Sequence, residues 1–141
     1  MSQITIETPS PEELTPGLVM YLCPRKFIRR GGICHHGELR EDYYTSPRPF
    51  LLVSVSGLVS EWVGVFPFED TARVLISEDD KQGHPGWCDG DSWAHPNFRW
   101  TLSYAAFVSA CGRDLSRVRR RNTVSAIKTL EIERASSRYA V

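Results

Sequence analysis

The chain has 141 residues, enough for one domain with a real core and too few for two of ordinary size. Its 41% hydrophobic and 24% charged content is that of a globular protein, and no apolar run approaches the ~20 residues of a membrane span. The formal net charge is zero, which excludes a uniformly basic nucleic-acid binder.

That zero hides a segregation of sign. Residues 23–48 carry six bases against three acids, residues 66–97 seven acids against two bases, and residues 98–138 nine bases against three acids. A neutral chain so divided presents an anion-binding face, unless the two signs neutralise each other in the fold. The N-terminus, MSQITIETPSPEEL, has neither a basic n-region nor a long apolar h-region, so no signal peptide is expected. A cytoplasmic location follows as an expectation, with Cys23, Cys34, Cys88 and Cys111 reduced.

Residues 1–14 read as a flexible arm, and residues 15–141 as a single small β-barrel domain with a C-terminal helix. A first strand is predicted over 17–23, after the punctuation of Pro16-Gly17. Residues 24–47 then read as one long basic loop containing Gly31-Gly32 and Tyr43-Tyr44. The clearest local signal is an antiparallel hairpin, 50-FLLVSVS-56 and 59-VSEWVGVF-66, turning at Gly57. A further strand is predicted over 72–77, and residues 78–97 read as turns throughout. Phe98, Trp100, Leu102 and Tyr104 alternate with polar residues, the period of a half-buried strand. Asp114 is a candidate helix cap, with Val118, Val124, Ile127 and Leu130 recurring at helical spacing behind it. About five strands and one late helix pack most economically as a small barrel or strongly curled sheet carrying the helix.

Several residue groups invite chemistry. Cys34 with His36, and His84 with Cys88, offer zinc ligands, with His35 and His95 near them in sequence. Structural zinc sites normally use close pairs such as C-x2-C, a spacing missing here, so no metal or other cofactor is expected. A zinc-stabilised small domain remains a third reading. Asp79, Asp80, Asp89 and Asp91 supply only part of a calcium-loop pattern. No serine stands in a G-x-S-x-G context. Arg117, Arg119, Arg120 and Arg121 suit a phosphate backbone, with Trp93, Trp100 and Tyr104 as stacking partners; a solvated helix face is the alternative. Arg48 leaves the chain between Pro47 and Pro49, a stiff base that suits a pre-organised anion-binding arginine at a barrel rim.

Pro16-Gly17 before the first strand, Arg48-Pro49 leading into Leu52-Val53-Ser54, and a strand ending at Val65-x-Pro67 resemble the MazF/PemK (Kid) toxin family. The likeness covers residues 15–75, and the remainder by element order. It implies an SH3-like barrel, a homodimer, and metal-independent cleavage of single-stranded RNA that leaves a cyclic phosphate. It also implies that Arg48 acts with a hydroxyl residue near the end of the third strand. Here Phe68, Glu69 and Asp70 follow Pro67, and the hydroxyl comes at Thr71. The expected catalytic set is therefore Arg48 with Glu69 or Thr71, Glu69 serving as general base if burial raises its pKa. Arg25, Lys26, Arg29 and Arg30, with Arg117–Arg121, would guide the RNA. An antitoxin or another protein is a further expected partner. The alternative is a non-catalytic interaction module of mobile-element origin, using a barrel edge or the acidic loop.

Overall fold

The hairpin organises the molecule. In a computed structural model, which describes residues 8–34, 46–111 and 121–137, strands β1 (Leu18–Leu22), β2 (Ile33–Cys34), β3 (Arg48–Ser56) and β4 (Val59–Phe66) form the first half. Strands β5 (Val74–Ile76), β6 (Lys81–Gln82), β7 (Ser92–Ser103) and β8 (Asn122–Val124) complete the sheet. Ser56 pairs with Val59 across a two-residue turn in which Gly57 takes φ +61°, a value that a type II′ turn requires at its first central position.

Every strand pair is antiparallel, in the order β2-β7-β4-β3-β1-β8-β6, with β5 on the β7 edge. The fold is mainly β, a curled antiparallel sheet with a C-terminal helix. The two strands at the ends of this order do not pair with each other, so the sheet stays open.

Helices cover both faces: α1 (Pro24–Arg29), α2 (Pro85–Cys88), α3 (Tyr104–Ala110) and α4 (Ala126–Ser137). Side chains alternate across a strand, so 50-FLLV-53 feeds two cores. Phe50 and Leu52 join Phe27 of α1, Trp62, Phe98, Trp100 and Phe107 of α3. Leu51 and Val53 join Val63, Val65, Trp87 of α2 and Ile132 of α4. Gly64 belongs to the first core by default: a Cβ there would overlap the Phe98 ring. Gly64→Ala should therefore cost about 1–3 kcal/mol as overpacking, read as a lower midpoint in urea unfolding.

Several sequence expectations are corrected. Pro24–Arg29 is a helix and not loop, because Pro24 occupies its first turn and Phe27 is fully buried. Gly31, at φ +83°, follows its end. Residues 8–14, expected in the loose arm, are tied down: Leu14 is buried and Tyr104 Oη donates to the Pro9 carbonyl (2.7 Å). The alternating strand begins at Ser92, inside the segment read as turns, and gives way at Tyr104 to α3. Val124 lies in β8 and precedes the last helix, whose inward residues are Thr129 and Ile132, while Ile127 is 86% exposed and Leu130 48%. Asp114 and Val118 lie outside the described residues. No helix among the described residues is long and apolar enough to cross a membrane.

Candidate functional site

Arg48 opens β3 opposite Leu22, at the end of β1 from which α1 begins two residues later. It alternates with Phe50 and Leu52, so its side chain rises on the first core's face, where that core meets the surface. Its guanidinium carbon stands 4.3 Å from the centroid of Phe66 and 5.9 Å from that of Phe98, within cation–π range of both rings. The proline bracket thus sets Arg48 on an aromatic rim.

A second arginine, which sequence reasoning missed, reaches the same ring. Arg73 Cζ lies 4.1 Å from the Phe66 centroid, and its Nη1 donates to the Phe68 carbonyl (2.8 Å). It comes from the 67–73 loop between β4 and β5. Beyond it lies an open groove of about 720 Å3, lined by Glu69, Asp70, Thr71 and Arg73 of that loop and by Leu75, Asp91 and Trp93 beside it. Leu75 and Trp93 are direct partners across the β5–β7 ladder. The route from Arg48 to Glu69 and Thr71 runs through Phe66 and Arg73.

The two expected partners of Arg48 differ in state. Glu69 is exposed, so the fold does not provide the burial expected for it as a general base. Thr71 directs both its backbone N–H (2.7 Å) and its hydroxyl (3.2 Å) to Asp70 Oδ1. These two donors hold the Asp70 carboxyl below its ordinary value of 3.8, with smaller help from Arg73 and His95. A depressed folded pKa means that the carboxylate's contribution is complete above 3.8 and fades as pH falls through the folded value. Protection of the Thr71 amide, its exchange measured against the intrinsic rate at each pH, should accordingly fall as Asp70 protonates on acidification below its ordinary value, and be low at all pH in Asp70→Ala.

Lys81 fixes the far wall. Its ammonium donates to the carbonyls of Trp87 (3.1 Å) and Gly90 (2.9 Å) and to Ser92 Oγ (2.7 Å), and lies 4.3 Å from the Trp87 ring centroid. Burial lowers its pKa, against the nearby Asp91, Cys88, Glu78 and Asp89. The three hydrogen bonds pin the turn before β7 and so place Asp91 and Trp93.

β7 carries a conspicuous irregularity beside this site. Val63 pairs with Arg99 but Val65 pairs with Ala94, so β7 spends three extra residues, His95, Pro96 and Asn97, opposite Gly64. Bulges of this kind re-aim side chains. His95 meets the Phe66 ring edge-on, at 5.8 Å between centroids. Its Nδ1 accepts from the Asn97 N–H (3.3 Å). Arg48, Arg73 and His95 therefore surround one ring although they stand far apart in sequence.

Arg25, Lys26 and Arg29 are exposed on α1, and Arg30, also exposed, is its C-cap, forming a basic surface at the Arg48 end of β1. Arg121 is not part of it: its side chain is 12% exposed and pairs with Glu13 (3.9 Å). Arg117, Arg119 and Arg120, like His35 and His36, lie outside the described residues. Trp100, expected as a stacking partner, is buried in the first core, whereas Trp93 is half-buried at the groove. Two of the zinc candidates, His84 and Cys88, have structural partners. His84 Nδ1 accepts from Gly86 N–H (2.9 Å) as the cap of α2, and Cys88 packs on the second core. Among the described residues no three His, Cys, Asp or Glu side chains are grouped to hold a metal.

Compared with protein-family models, curated proteins and solved structures, the chain matches none.

Proposed function

We propose that this chain is a metal-independent endoribonuclease of the MazF/PemK type, acting on single-stranded RNA at the Phe66 rim. The observation that carries the reading is that two guanidinium groups, Arg48 and Arg73, stand on one aromatic ring beside a groove holding Glu69 and Thr71. Guanidinium matches phosphate bidentately and keeps its charge, so a fixed pair suits the growing charge of a phosphorane. Glu69, on the groove wall, takes the proton of the ribose 2′-hydroxyl as an exposed carboxylate, without the burial first expected for that role. The 2′-oxygen then attacks phosphorus, the bond to the 5′-oxygen breaks, the leaving oxygen takes a proton from water, and the hydroxide so formed takes back the proton held by Glu69. Trp93 offers a face for one base, and the basic surface of α1 draws the strand in. A homodimer and an antitoxin partner belong to the same proposal.

The second reading, a non-catalytic interaction module, draws on the charge of the groove. Glu69, Asp70 and Asp91 line it against Arg73 alone, and carboxylates repel RNA phosphates. Induced expression in bacteria separates the two. Growth arrest that vanishes with Arg48→Ala supports the nuclease; unimpaired growth with folded protein accumulating supports the module.

A further inference from the structure

The β7 bulge leads to a third group for the same site, on the premise that the site handles a phosphodiester. We infer that His95 donates its Nε2–H to an oxygen of the scissile phosphate, as an uncharged contact completing the two arginines. Two observations converge. Residues 95–97 are the extra ones in the β4–β7 register, so the ring is turned out of the ladder toward Phe66, the ring that carries Arg48 and Arg73. The Nδ1 of His95 accepts the Asn97 N–H, which assigns the neutral ring's proton to Nε2.

The role is specific in chemistry. An imidazole whose Nδ1 is engaged by a backbone N–H is not placed to act as a base, and it offers one N–H in a fixed direction. Asn97 sets that direction as a positioning residue, and Pro96 stiffens the bulge between them. The ligand class is a phosphodiester within a single strand whose base rests on Trp93, two residues earlier on β7. Gln can present an N–H at a reach similar to that of Nε2, whereas Ala cannot.

The test compares initial rates of single-stranded RNA cleavage for wild type, Arg48→Ala, His95→Ala and His95→Gln, with melting curves confirming folding. A strand of the same sequence with 2′-deoxyribose throughout reports binding without cleavage. His95→Ala should cleave about tenfold more slowly, the loss of one hydrogen bond to a charged oxygen, and His95→Gln should recover to within about threefold of wild type. Binding of the deoxy strand should weaken in the same order. Equal loss in the Ala and Gln variants overturns the donor role. Cleavage abolished by Arg48→Ala but unmoved by His95→Ala overturns this inference alone, while RNA left intact by the wild type overturns the nuclease reading and takes the inference with it.

Discussion

Trp62→Ala should lower stability by about 3–5 kcal/mol, the range of large-to-small changes at a fully buried aromatic. Trp62 has no exposed surface, stacks on Phe107 of α3 (5.2 Å between centroids, 9° between planes), and donates its indole N–H to Ser60 Oγ (2.7 Å). The truncation therefore removes the stack of α3 on the hairpin and takes the indole donor from the Ser60 oxygen, whose own O–H still reaches the Leu102 carbonyl. Domains are stable by only about 5–15 kcal/mol, so a large share would go. For a chain of this size the melting temperature should fall by about 10–15 °C in calorimetry. Trp62→Phe keeps a stacking ring and loses the N–H, so its cost should be smaller, about 1–3 kcal/mol. Equal costs for the two would locate the energy in the hydrogen bond and not in the stack.

Arg48→Ala should reduce RNA cleavage by about 10²–10³ while leaving the fold intact. The cation–π contact with Phe66 and Phe98 accounts for about 1–2 kcal/mol of structural cost at this half-buried group. The functional cost is larger because a guanidinium aimed at a phosphorane acts on charge that exists only in the transition state. Loss should consequently appear mainly in kcat, and Arg48→Lys should recover little, since an ammonium cannot make the bidentate contact. Arg73→Ala behaves differently: Arg73 also holds the Phe68 carbonyl, so its loss should loosen the 67–73 loop as well as weaken turnover.

Much of the sheet was legible in the sequence, for definite reasons. The unbroken run Phe50-Leu51-Leu52-Val53 marks a strand covered on both faces, and Gly57 marks its turn. The start of β7 was hidden because Pro96 and the three-residue bulge break the alternation that is clean from Phe98 onward. α1 was hidden by its composition: three exposed bases, with a fourth at its C-cap, accompany the buried Phe27, and Pro24 at the first turn was the overlooked signal. α3 carried a comparable signal in Ser103, whose Oγ accepts from Ala106 N–H as an N-cap. The phase of α4 was misleading because Thr129, a polar residue, faces inward and its Oγ1 donates to the Val124 carbonyl (3.4 Å).

The candidate site was half legible. Arg48 announced itself through its flanking prolines, and Glu69 and Thr71 do line the groove. Arg73 and His95 carry no local signature, because what unites them with Arg48 is a single ring, Phe66, that three separate segments reach only after the sheet has curled. The basic runs proved unlike one another in three dimensions: α1 displays its charges, while Arg121 spends its own on Glu13.

The central claim, that the Phe66 rim cleaves RNA without a metal, meets its most direct test in purified protein incubated with single-stranded RNA and excess chelator, beside Arg48→Ala. The predicted result is fragments ending in 2′,3′-cyclic phosphate and 5′-hydroxyl, produced by the wild type and missing with the variant. RNA left intact across varied substrates by folded wild type, or cleaved equally well by Arg48→Ala, would contradict it.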